Sequence, residues 1–543
     1  MQKRLKMLVA VIMALSMVVT LLSGCGSSNT DNTASSTVAN GTTQENLSSI
    51  KFDKPLEFTM LYSDMAVYPY KEDWLVWKKI KELTNVTLKP VVVPMADYVQ
   101  KRSILISSGD APQIMPKTYP GQEAQFIPSG AILPISDYAD KLPNYSKRLK
   151  DWNMSADINT IKQRDGKYYV LPGLHEVFNQ DYSIIYRADI LKKNNIKVPT
   201  SYDELYTALK KLKEAYPSCY PMSEKQNMNA LLTVAAPAFG ARWGWNFDSQ
   251  MMYDKSSDKF IYCPITDEYK SMLTYFAKLV KEGLLDPESV TQSDDMAHQK
   301  YVNSKSFMLA GNSQDLTINL QKPMDGILGA GKFELIKMPI LTGPKGGNLV
   351  GTRLENGIMF ASKVKDDPDF DKLMKFVDWL WYTEEGQLLT KWGVEGETYK
   401  VNNGKYELMP DVTFLTLNPK GTKDLRKEMG FGIGTFVYGG KKELVQSMMS
   451  QADLDFLSAT FKQTKLLAVD PPVLMTSDER EQATMISKPL LDYMKQMTYK
   501  FMLGEANIDT DWDKFVAECK AKGCDKLQDM TNKVYNDTKD SLK

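Results

Sequence analysis

The chain has 543 residues, its 67 basic residues are balanced by 67 acidic residues, and it contains only two histidines. A chain without a basic excess has no general attraction to nucleic acid, and two histidines leave little for histidine-based acid–base or metal chemistry. The part beyond the first fifty residues is too long for a single hydrophobic core, so we expect two interlocked lobes.

The first 24 residues have the pattern of an export signal. Three basic residues precede an uncharged apolar run at residues 7–22, and this run is short for a stable transmembrane span. Residues 22–25 have the sequence LSGC, which resembles a bacterial lipobox and implies cleavage before a lipid-bearing Cys25. An uncleaved membrane anchor with an incidental cysteine is the alternative, and both place the folded part at the outer face of the cell membrane. Removing the three basic residues leaves 64 basic against 67 acidic residues, so the mature protein is slightly acidic.

Residues 26–49 predict a flexible tether. They are mostly Ser, Thr, Asn and Gly, and they cannot bury enough apolar surface to offset the entropy lost on ordering. We therefore expect a signal peptide at residues 1–24, a tether at residues 25–50 and a folded protein from residue 51 onward.

The first lobe is expected to open with a strand at Leu56–Tyr62. Asp64 follows at the carboxyl end of that strand, which is the edge where open α/β sheets bind ligands. A helix and a second strand at Val86–Val93 come next, and a later loop at residues 116–122 is expected at the edge of a cleft. Asp64, Tyr68 and Tyr119 are therefore candidate ligand-binding residues of this lobe.

The passage from the first lobe to the second is predicted near residue 172. A β-prone run at Tyr168–Leu171 precedes a Pro-Gly pair, at which we expect the strand to stop. Residues 173–179 are then a hinge crossover, and Tyr182–Tyr186 predicts the first strand of the second lobe. His175 is expected to be a hinge or rim residue rather than a catalyst.

Two later helices have clear boundary signals. Ser201 is expected to cap the first, with Glu204 three residues later as in a capping box, and Asp267 to cap the second, which ends at Gly283. Leu349–Ala361 predicts the return of the chain to the first lobe. The expected composition is residues 51–172 and 349–400 for lobe 1, and residues 180–345 and 405–543 for lobe 2.

Trp243 and Trp245 stand beside glycines in a stretch without a helical pattern. A sugar ring presents a face of C–H groups, which an indole ring covers with little loss of entropy. We expect the two rings to be exposed stacking platforms for a sugar. Burial of either ring is the alternative.

Several longer stretches resemble a single family. GKYYVLP, IIYRADILKKNNI and PTSYDEL around the crossover, EYKSMLTYFAKLVKEGLLDPES at residues 268–289, and WGVEGETY at residues 392–399 resemble the extracellular solute-binding proteins of ABC importers. The likeness is to the large lipoprotein type, in the alginate-oligosaccharide and maltodextrin-binding class. It implies an α/β fold of periplasmic-binding-protein type II, with two α/β lobes, a multi-segment hinge and extra C-terminal helices.

The resemblance also implies a function. We expect a monomeric binding protein rather than an enzyme, which captures an oligosaccharide between its lobes and delivers it to ABC permease subunits in the membrane. The lipid anchor would attach it to the membrane, and no nucleic acid partner is expected. The alternatives are a binder of a peptide or other non-sugar solute, or an exported polysaccharide-degrading enzyme, although no pair of carboxylates stands out for glycoside hydrolysis.

Three charged residues are further candidates for contacts with sugar hydroxyl or carboxylate groups: Arg353, Glu355 and Glu395. Arg353 matters most if the sugar is acidic, because a guanidinium holds a carboxylate through two hydrogen bonds. A surface ion pair is the alternative for this arginine.

We expect no cofactor and no metal. Several members of the resembling family carry a calcium loop after the PTSYDEL helix, whereas residues 213–221 here offer one carboxylate where calcium takes six or more oxygens. Residues 326–332 imitate a phosphate loop, but Phe333 replaces the Ser or Thr that holds magnesium. Cys519 and Cys524 are near enough in sequence for a local disulfide, with two packed thiols as the alternative.

Overall fold

The computed structural model describes residues 50–244, 247, 249–436 and 439–542. The predicted export signal, the lipidation site Cys25 and the candidate Trp245 lie outside the described residues.

The strands are, in chain order, β1 (Leu56–Asp64), β2 (Val86–Pro94), β3 (Ile114–Thr118), β4 (Leu171–Leu174), β5 (Ser183–Arg187), β6 (Met251–Asp254), β7 (Lys259–Tyr262), β8 (Met308–Gly311), β9 (Leu335–Lys337), β10 (Asn348–Leu349), β11 (Leu354–Phe360), β12 (Tyr399–Asn402), β13 (Lys405–Leu408), β14 (Val412–Thr413), β15 (Lys423–Asp424) and β16 (Lys465–Leu466).

The α-helices are α1 (Leu75–Thr84), α2 (Tyr98–Ser108), α3 (Pro143–Asp151), α4 (Ser155–Asn159), α5 (Ala188–Lys193), α6 (Tyr202–Ala215), α7 (Asn229–Phe239), α8 (Asp267–Lys281), α9 (Asp294–Val302), α10 (Lys322–Leu328), α11 (Phe370–Tyr382), α12 (Glu384–Trp392), α13 (Leu425–Met429), α14 (Lys442–Ser447), α15 (Gln451–Gln463), α16 (Ser477–Leu503), α17 (Trp512–Ala521) and α18 (Cys524–Thr538). A π-helix, Asp315–Gln321, precedes α10.

Lobe 1 is built on a five-stranded sheet with the order β2-β1-β3-β11-β4. β1 pairs in parallel with β2 and β3, whereas β11 runs antiparallel to β3 and β4. The predicted strands at β1 and β2 are therefore confirmed. So is the return of the chain to lobe 1, because β11 lies between two strands from the first third of the sequence.

The prediction that a strand stops before Pro172 is wrong. β4 contains both Pro172 and Gly173, and it stands at the edge of the sheet, beside β11. Proline has no N–H to donate, and an edge strand tolerates it because one side of the strand makes no sheet hydrogen bonds. The β-prone residues before Leu171 are buried without forming part of the strand.

Lobe 2 contains a three-stranded sheet with the order β8-β5-β9, in which both outer strands run antiparallel to β5. Its core gathers the apolar faces of α6, α7 and α8 together with residues of the C-terminal helices α16, α17 and α18. The long helix α16 packs against α8 and α18. The C-terminal helices thus complete the hydrophobic core of this lobe.

Residues 412–436 correct the predicted lobe boundary. Val412, Phe414, Leu425 and Phe431 are buried in the same core as the residues of β1 and α11. The assignment of everything after residue 405 to lobe 2 is therefore wrong for this segment, which lobe 1 holds by burial of its apolar side chains.

Within the described part of the chain, the backbone passes between the lobes at residues 175–182, 350–353 and 439–450. The first two passes lie side by side, since the His175 amide donates to the Arg353 carbonyl at 2.8 Å. The third adjoins the first, where the Gly440 amide donates to the Leu174 carbonyl at 2.7 Å. Passes that lie together in this way form a hinge about which two lobes can rotate.

The structure confirms the predicted N-cap of α6 but not that of α8. Ser201 caps α6 as expected, because its Oγ accepts from the Glu204 amide at 3.1 Å. The Glu204 carboxylate accepts from the Thr200 amide instead of closing the capping box on Ser201. The cap of α8 is Thr266 rather than Asp267, and Asp267 is the first helical residue, where a negative charge is favoured by the helix dipole.

The described cysteines are all buried free thiols, so the disulfide considered for Cys519 and Cys524 is not formed. Burial raises the pKa of Cys519 to about 12 and that of Cys524 to about 11. Both thiols are therefore protonated and unreactive near neutral pH. Among the described residues, no helix has an apolar stretch long enough to cross a membrane.

Candidate ligand-binding site between the lobes

A cavity of about 230 Å³ lies between the two lobes beside the hinge, and we call it the interlobe cavity. Lobe 1 contributes apolar side chains, among them Phe414, Ile433 and Phe436, and the last turn of α12. Lobe 2 contributes Lys337 and Asp453. Both lobes and the hinge therefore line one space, which is the arrangement expected of a site whose occupant affects the lobe positions.

The lobe 2 wall of this cavity carries a buried lysine that is paired with two carboxylates. The side chain of Lys337 is 4 % exposed, and its Nζ lies 2.9 Å from Oδ1 of Asp181 and 2.8 Å from Oδ1 of Asp453. Its third hydrogen bond goes to Ser313 Oγ at 2.8 Å. Burial opposes the charge of Lys337, but the two carboxylates outweigh it and raise the pKa of the lysine. Since Asp181 belongs to a hinge pass, this ion cluster ties the hinge to α15.

Several hydrogen bonds join the lobes directly, and two of them come from Arg426 and Thr416. Arg426 of lobe 1 donates from Nη1 to Oε1 of Gln314 at 3.3 Å, and Thr416 donates from Oγ1 to Oδ2 of Asp453 at 3.3 Å. The Arg426 guanidinium also lies 4.9 Å from the centre of the Tyr68 ring, within the range of a cation–π contact. The sequence did not single out Arg426 or Gln314, because the two partners are distant from each other in the chain.

The three lobe 1 candidates have different environments. Asp64 ends β1, and its Oδ1 accepts from the Tyr70 amide at 2.7 Å. Tyr68 is buried beneath Arg426 at the contact between the lobes. Tyr119 is exposed, and it lies close enough to Tyr182 at the start of lobe 2 to act on its titration. The structure therefore brings Tyr68 and Tyr119 to the surface that faces the other lobe.

Trp243 is not the exposed platform that the sequence predicted. Its ring is 8 % exposed, it packs beside Tyr269 in the core of lobe 2, and its Nε1 donates to Oδ1 of Asn229 at 2.7 Å. The alternative of burial applies to this residue, because the indole finds both an apolar neighbour and a hydrogen-bond acceptor within its own lobe.

Arg353 is held in an ion pair within lobe 1, which was the alternative for this residue. Its Nη2 donates to Oδ2 of Asp157 at 2.5 Å, and its Nη1 donates to the Trp152 carbonyl at 2.8 Å. These bonds tie the second hinge pass to α4. Arg353 does not line the interlobe cavity and borders a separate groove instead, together with Asp157 and Pro471.

The remaining carboxylate candidates lie in separate places. Glu355 is on β11, where His175 Nε2 lies 3.8 Å from its Oε2. Burial opposes ionisation of Glu355, but bonds from His175 and Asn356 outweigh it and lower its pKa. His175 lines the interlobe cavity within a hinge pass, in agreement with the prediction of a hinge or rim residue. Glu395 is exposed and does not line that cavity.

A strained segment in lobe 2 had no sequence signal. Gln226, Asn227 and Met228 all have positive φ, between 51° and 61°, which is unfavourable for residues other than glycine. Beside it, Lys225 is buried and its Nζ lies 3.1 Å from Oδ2 of Asp315, the first residue of the π-helix. Strained turns and π-helices occur often at functional sites, so this segment is a further candidate functional segment of lobe 2.

Residues 72–387 match the family described as bacterial extracellular solute-binding protein, and the chain therefore belongs to that family of binding proteins. The sequence is 22 % identical over 538 residues to lipoprotein LipO of Bacillus subtilis, covering 97 % of this chain and 98 % of that protein. It is 25 % identical over 455 residues to the polygalacturonan/rhamnogalacturonan-binding protein YtcQ of the same species, covering 82 % and 85 %.

Solved structures show the same fold. The alginate-binding protein AlgQ2 without calcium ion matches with a TM-score of 0.69 at 20 % identity, covering 90 % of this chain and 99 % of that one. The substrate-binding protein FusA of Streptococcus pneumoniae in complex with kestose matches with a TM-score of 0.65 at 17 % identity, covering 89 % and 100 %. The predicted family and the periplasmic-binding-protein type II fold are confirmed.

Proposed function

We propose that this protein is the substrate-binding subunit of an ABC importer and that it captures an oligosaccharide between its two lobes. The observation that carries the proposal is the interlobe cavity, which residues of both lobes and the hinge line in a chain of the solute-binding family. Relatives named for binding polygalacturonan, fructooligosaccharide and alginate support the ligand class.

The mechanism follows from the arrangement of the lobes. A ligand that contacts both walls binds the closed arrangement better than the open one, and it shifts the population by that difference in affinity. The Arg426–Gln314 and Thr416–Asp453 bonds join opposite lobes, so they exist only when the lobes are close. The closed form would then be the species that permease subunits recognise.

The export signal and the LSGC sequence extend the proposal to location. Lipid attachment at Cys25 would hold the protein at the outer face of the cell membrane, and residues 26–49 would let the folded part move about that anchor. The relative LipO carries the name lipoprotein, which supports this arrangement. Mass spectrometry of the purified lipoprotein should find the mature chain beginning at acylated Cys25.

A thermal-shift panel of oligosaccharides and peptides tests the ligand class. A bound ligand at about a hundred times its dissociation constant adds about 2.7 kcal/mol to stability, so a true ligand raises the unfolding temperature clearly. We expect an oligosaccharide to do so and to be recovered with its mass unchanged, as a binding protein requires. A shift with peptides alone would favour the non-sugar alternative, and cleavage of the sugar would favour an enzyme.

A cavity-filling variant locates the site. Met449 lines the interlobe cavity, and Met449→Trp should lower affinity for the oligosaccharide at least tenfold by occupying that space. Met296→Trp is the matched control, because Met296 is an exposed methionine on the surface of lobe 2. Equal affinity of both variants would place the ligand elsewhere.

A further inference from the structure

Lys391 is a cation on the lobe 1 wall of the interlobe cavity, in the last turn of α12. The other lysine at the cavity, Lys337, has two carboxylates within 2.9 Å. Among the described residues, none pairs with the Lys391 ammonium by an ion pair or a hydrogen bond. The two walls of the cavity therefore differ, because lobe 2 pairs one ammonium with two carboxylates, whereas the Lys391 ammonium of lobe 1 has no carboxylate bound to it.

A second cation lies behind the first. Arg148 is 7 % exposed, its guanidinium lies 5.1 Å from the Trp152 ring, and its Nη1 has no hydrogen-bond partner among the described residues. Burial, and then the nearby Arg148 charge, lower the pKa of Lys391 to about 8. Neither cation is therefore bound directly by a carboxylate, although Glu384, Asp378 and Glu176 act on Arg148 from farther away.

The carboxylates in the neighbourhood are engaged by other groups. Both oxygens of Asp378 accept from residues at the start of α3, including the Tyr145 amide at 2.9 Å. Glu384 pairs with Lys441, and Glu176 accepts from the Lys442 amide at 2.7 Å. Each of these carboxylates therefore has a partner other than Lys391.

The other charged groups of the cavity are paired with one another rather than with Lys391. Asp181 and Asp453 are bound to Lys337, and His175 faces Glu355. The wall near Lys391 is otherwise apolar and includes Ile433 and Phe436 of lobe 1. Such surroundings suit the C–H faces of a sugar ring that carries one negative group.

We propose that the captured oligosaccharide is acidic, and that a uronic acid unit places its carboxylate against the Lys391 ammonium in the interlobe cavity. This inference rests on the proposed function and names its substrate class. A cavity of about 230 Å³ is smaller than the ~300–1,000 Å³ sites of drug-sized ligands, so it holds one sugar unit rather than a long chain. Arg353, the cation that the sequence offered for this role, is already bound by Asp157.

The test compares matched acidic and neutral probes by isothermal titration calorimetry. The probes are trigalacturonate and trimannuronate, each paired with the same trisaccharide after reduction of its carboxyl groups to alcohols. Wild-type protein should bind an acidic probe at least tenfold more tightly than its reduced form. Lys391→Gln should lower the affinity for the acidic probe about 30-fold or more and leave the reduced probe unaffected, because one partner of a buried charge pair is lost. Lys391→Arg should restore most of the affinity.

The controls separate a local effect from a failure to fold. Lys391→Gln removes a charge that burial disfavours, so its unfolding temperature should equal or exceed that of the wild type. The Lys363 ammonium donates to the Gly109 carbonyl in an exposed hydrogen bond of lobe 1. Lys363→Gln is therefore the matched lysine control, and it should bind the probes as the wild type does.

Three results would overturn the inference. They are an acidic probe that binds Lys391→Gln as tightly as the wild type, a protein that prefers the reduced probes, and a protein that binds neither acidic probe. In the last two cases, binding of any neutral oligosaccharide leaves the proposed function standing. If no oligosaccharide binds at all, the proposed function fails as well.

Discussion

The Arg426 guanidinium, which stacks on lobe 1, donates to the side-chain oxygen of Gln314 in lobe 2 at 3.3 Å. On its own lobe the same guanidinium lies 4.9 Å from the Tyr68 ring and 5.5 Å from the Phe414 ring. Contacts within lobe 1 thus hold the arginine in the orientation in which it reaches lobe 2. We therefore expect the Arg426–Gln314 pair to affect lobe closure.

Gln314→Ala should weaken oligosaccharide binding about fivefold without reducing the stability of the free protein. It removes a hydrogen bond worth about 1 kcal/mol that forms only between closed lobes, while the stacking of Arg426 remains. Gln321→Ala is the control, since Gln321 donates to Asp325 of its own lobe. Calorimetric titration measures both, and equal loss in the two variants would contradict a role in closure.

Stability should depend on pH through Glu224. This carboxyl is fully buried in lobe 2, and burial raises its pKa from 4.5 to about 8, although the neighbouring Lys225 lowers it in part. The folded protein then holds a proton that the unfolded chain releases above pH 4.5, so the contribution of Glu224 to stability falls as pH rises from about 4.5 to 8.

Glu224→Gln keeps a neutral side chain at every pH and should remove this dependence. Relative to the wild type, the variant should gain about 3 kcal/mol in the free energy of unfolding between pH 5 and pH 8. Urea unfolding at several pH values measures the gain. Glu214→Gln, at an exposed position, should follow the wild type, and parallel curves for all three proteins would refute the expectation.

Asp157→Asn should lower the free energy of unfolding by about 2 kcal/mol and leave oligosaccharide affinity unchanged. The reason is that Arg353 loses the carboxylate that neutralises it in a partly buried place. Asp151→Asn breaks an exposed ion pair with Lys147 and should cost less than about 1 kcal/mol. A loss of affinity in Asp157→Asn would return Arg353 to the list of ligand contacts.

Trp243→Phe should destabilise lobe 2 by about 1–3 kcal/mol, because the Asn229 amide oxygen loses its indole donor inside the core. Differential scanning calorimetry should show a lower unfolding temperature, with calorimetric titration at a lower temperature showing near-normal affinity. A stable variant with weak binding would support the stacking platform that burial of the ring argues against.

Sequence patterns predicted the elements whose causes are local. Ser201 and the apolar periodicity after it are enough to start α6, and β1 and β2 follow from continuous β-prone runs. The prediction that the strand stops before Pro172 failed, because a strand tolerates proline only at certain positions in a sheet. The position of this strand depends on its pairing with β11, far along the chain.

The candidate site was harder to predict because its contacts are distant in sequence. From the sequence, Arg353 was a candidate ligand-binding cation. In the structure it is paired with Asp157, which lies 196 residues away in the chain. Lys391 was not singled out from the sequence, because a lysine in the last turn of a helix is common. Only the structure shows that it lines the cavity without a counter-charge. Composition does not show which charged residues form ion pairs in the folded protein.

The place of β11 in the lobe 1 sheet governs the order in which the protein can assemble. β11 separates β3 from β4, yet residues 183–349 leave the ribosome before it does. Until then the growing polypeptide has β4 without a neighbour to pair with, and lobe 1 remains incomplete. The sheet of lobe 1 can therefore close only after most of lobe 2 has been synthesised.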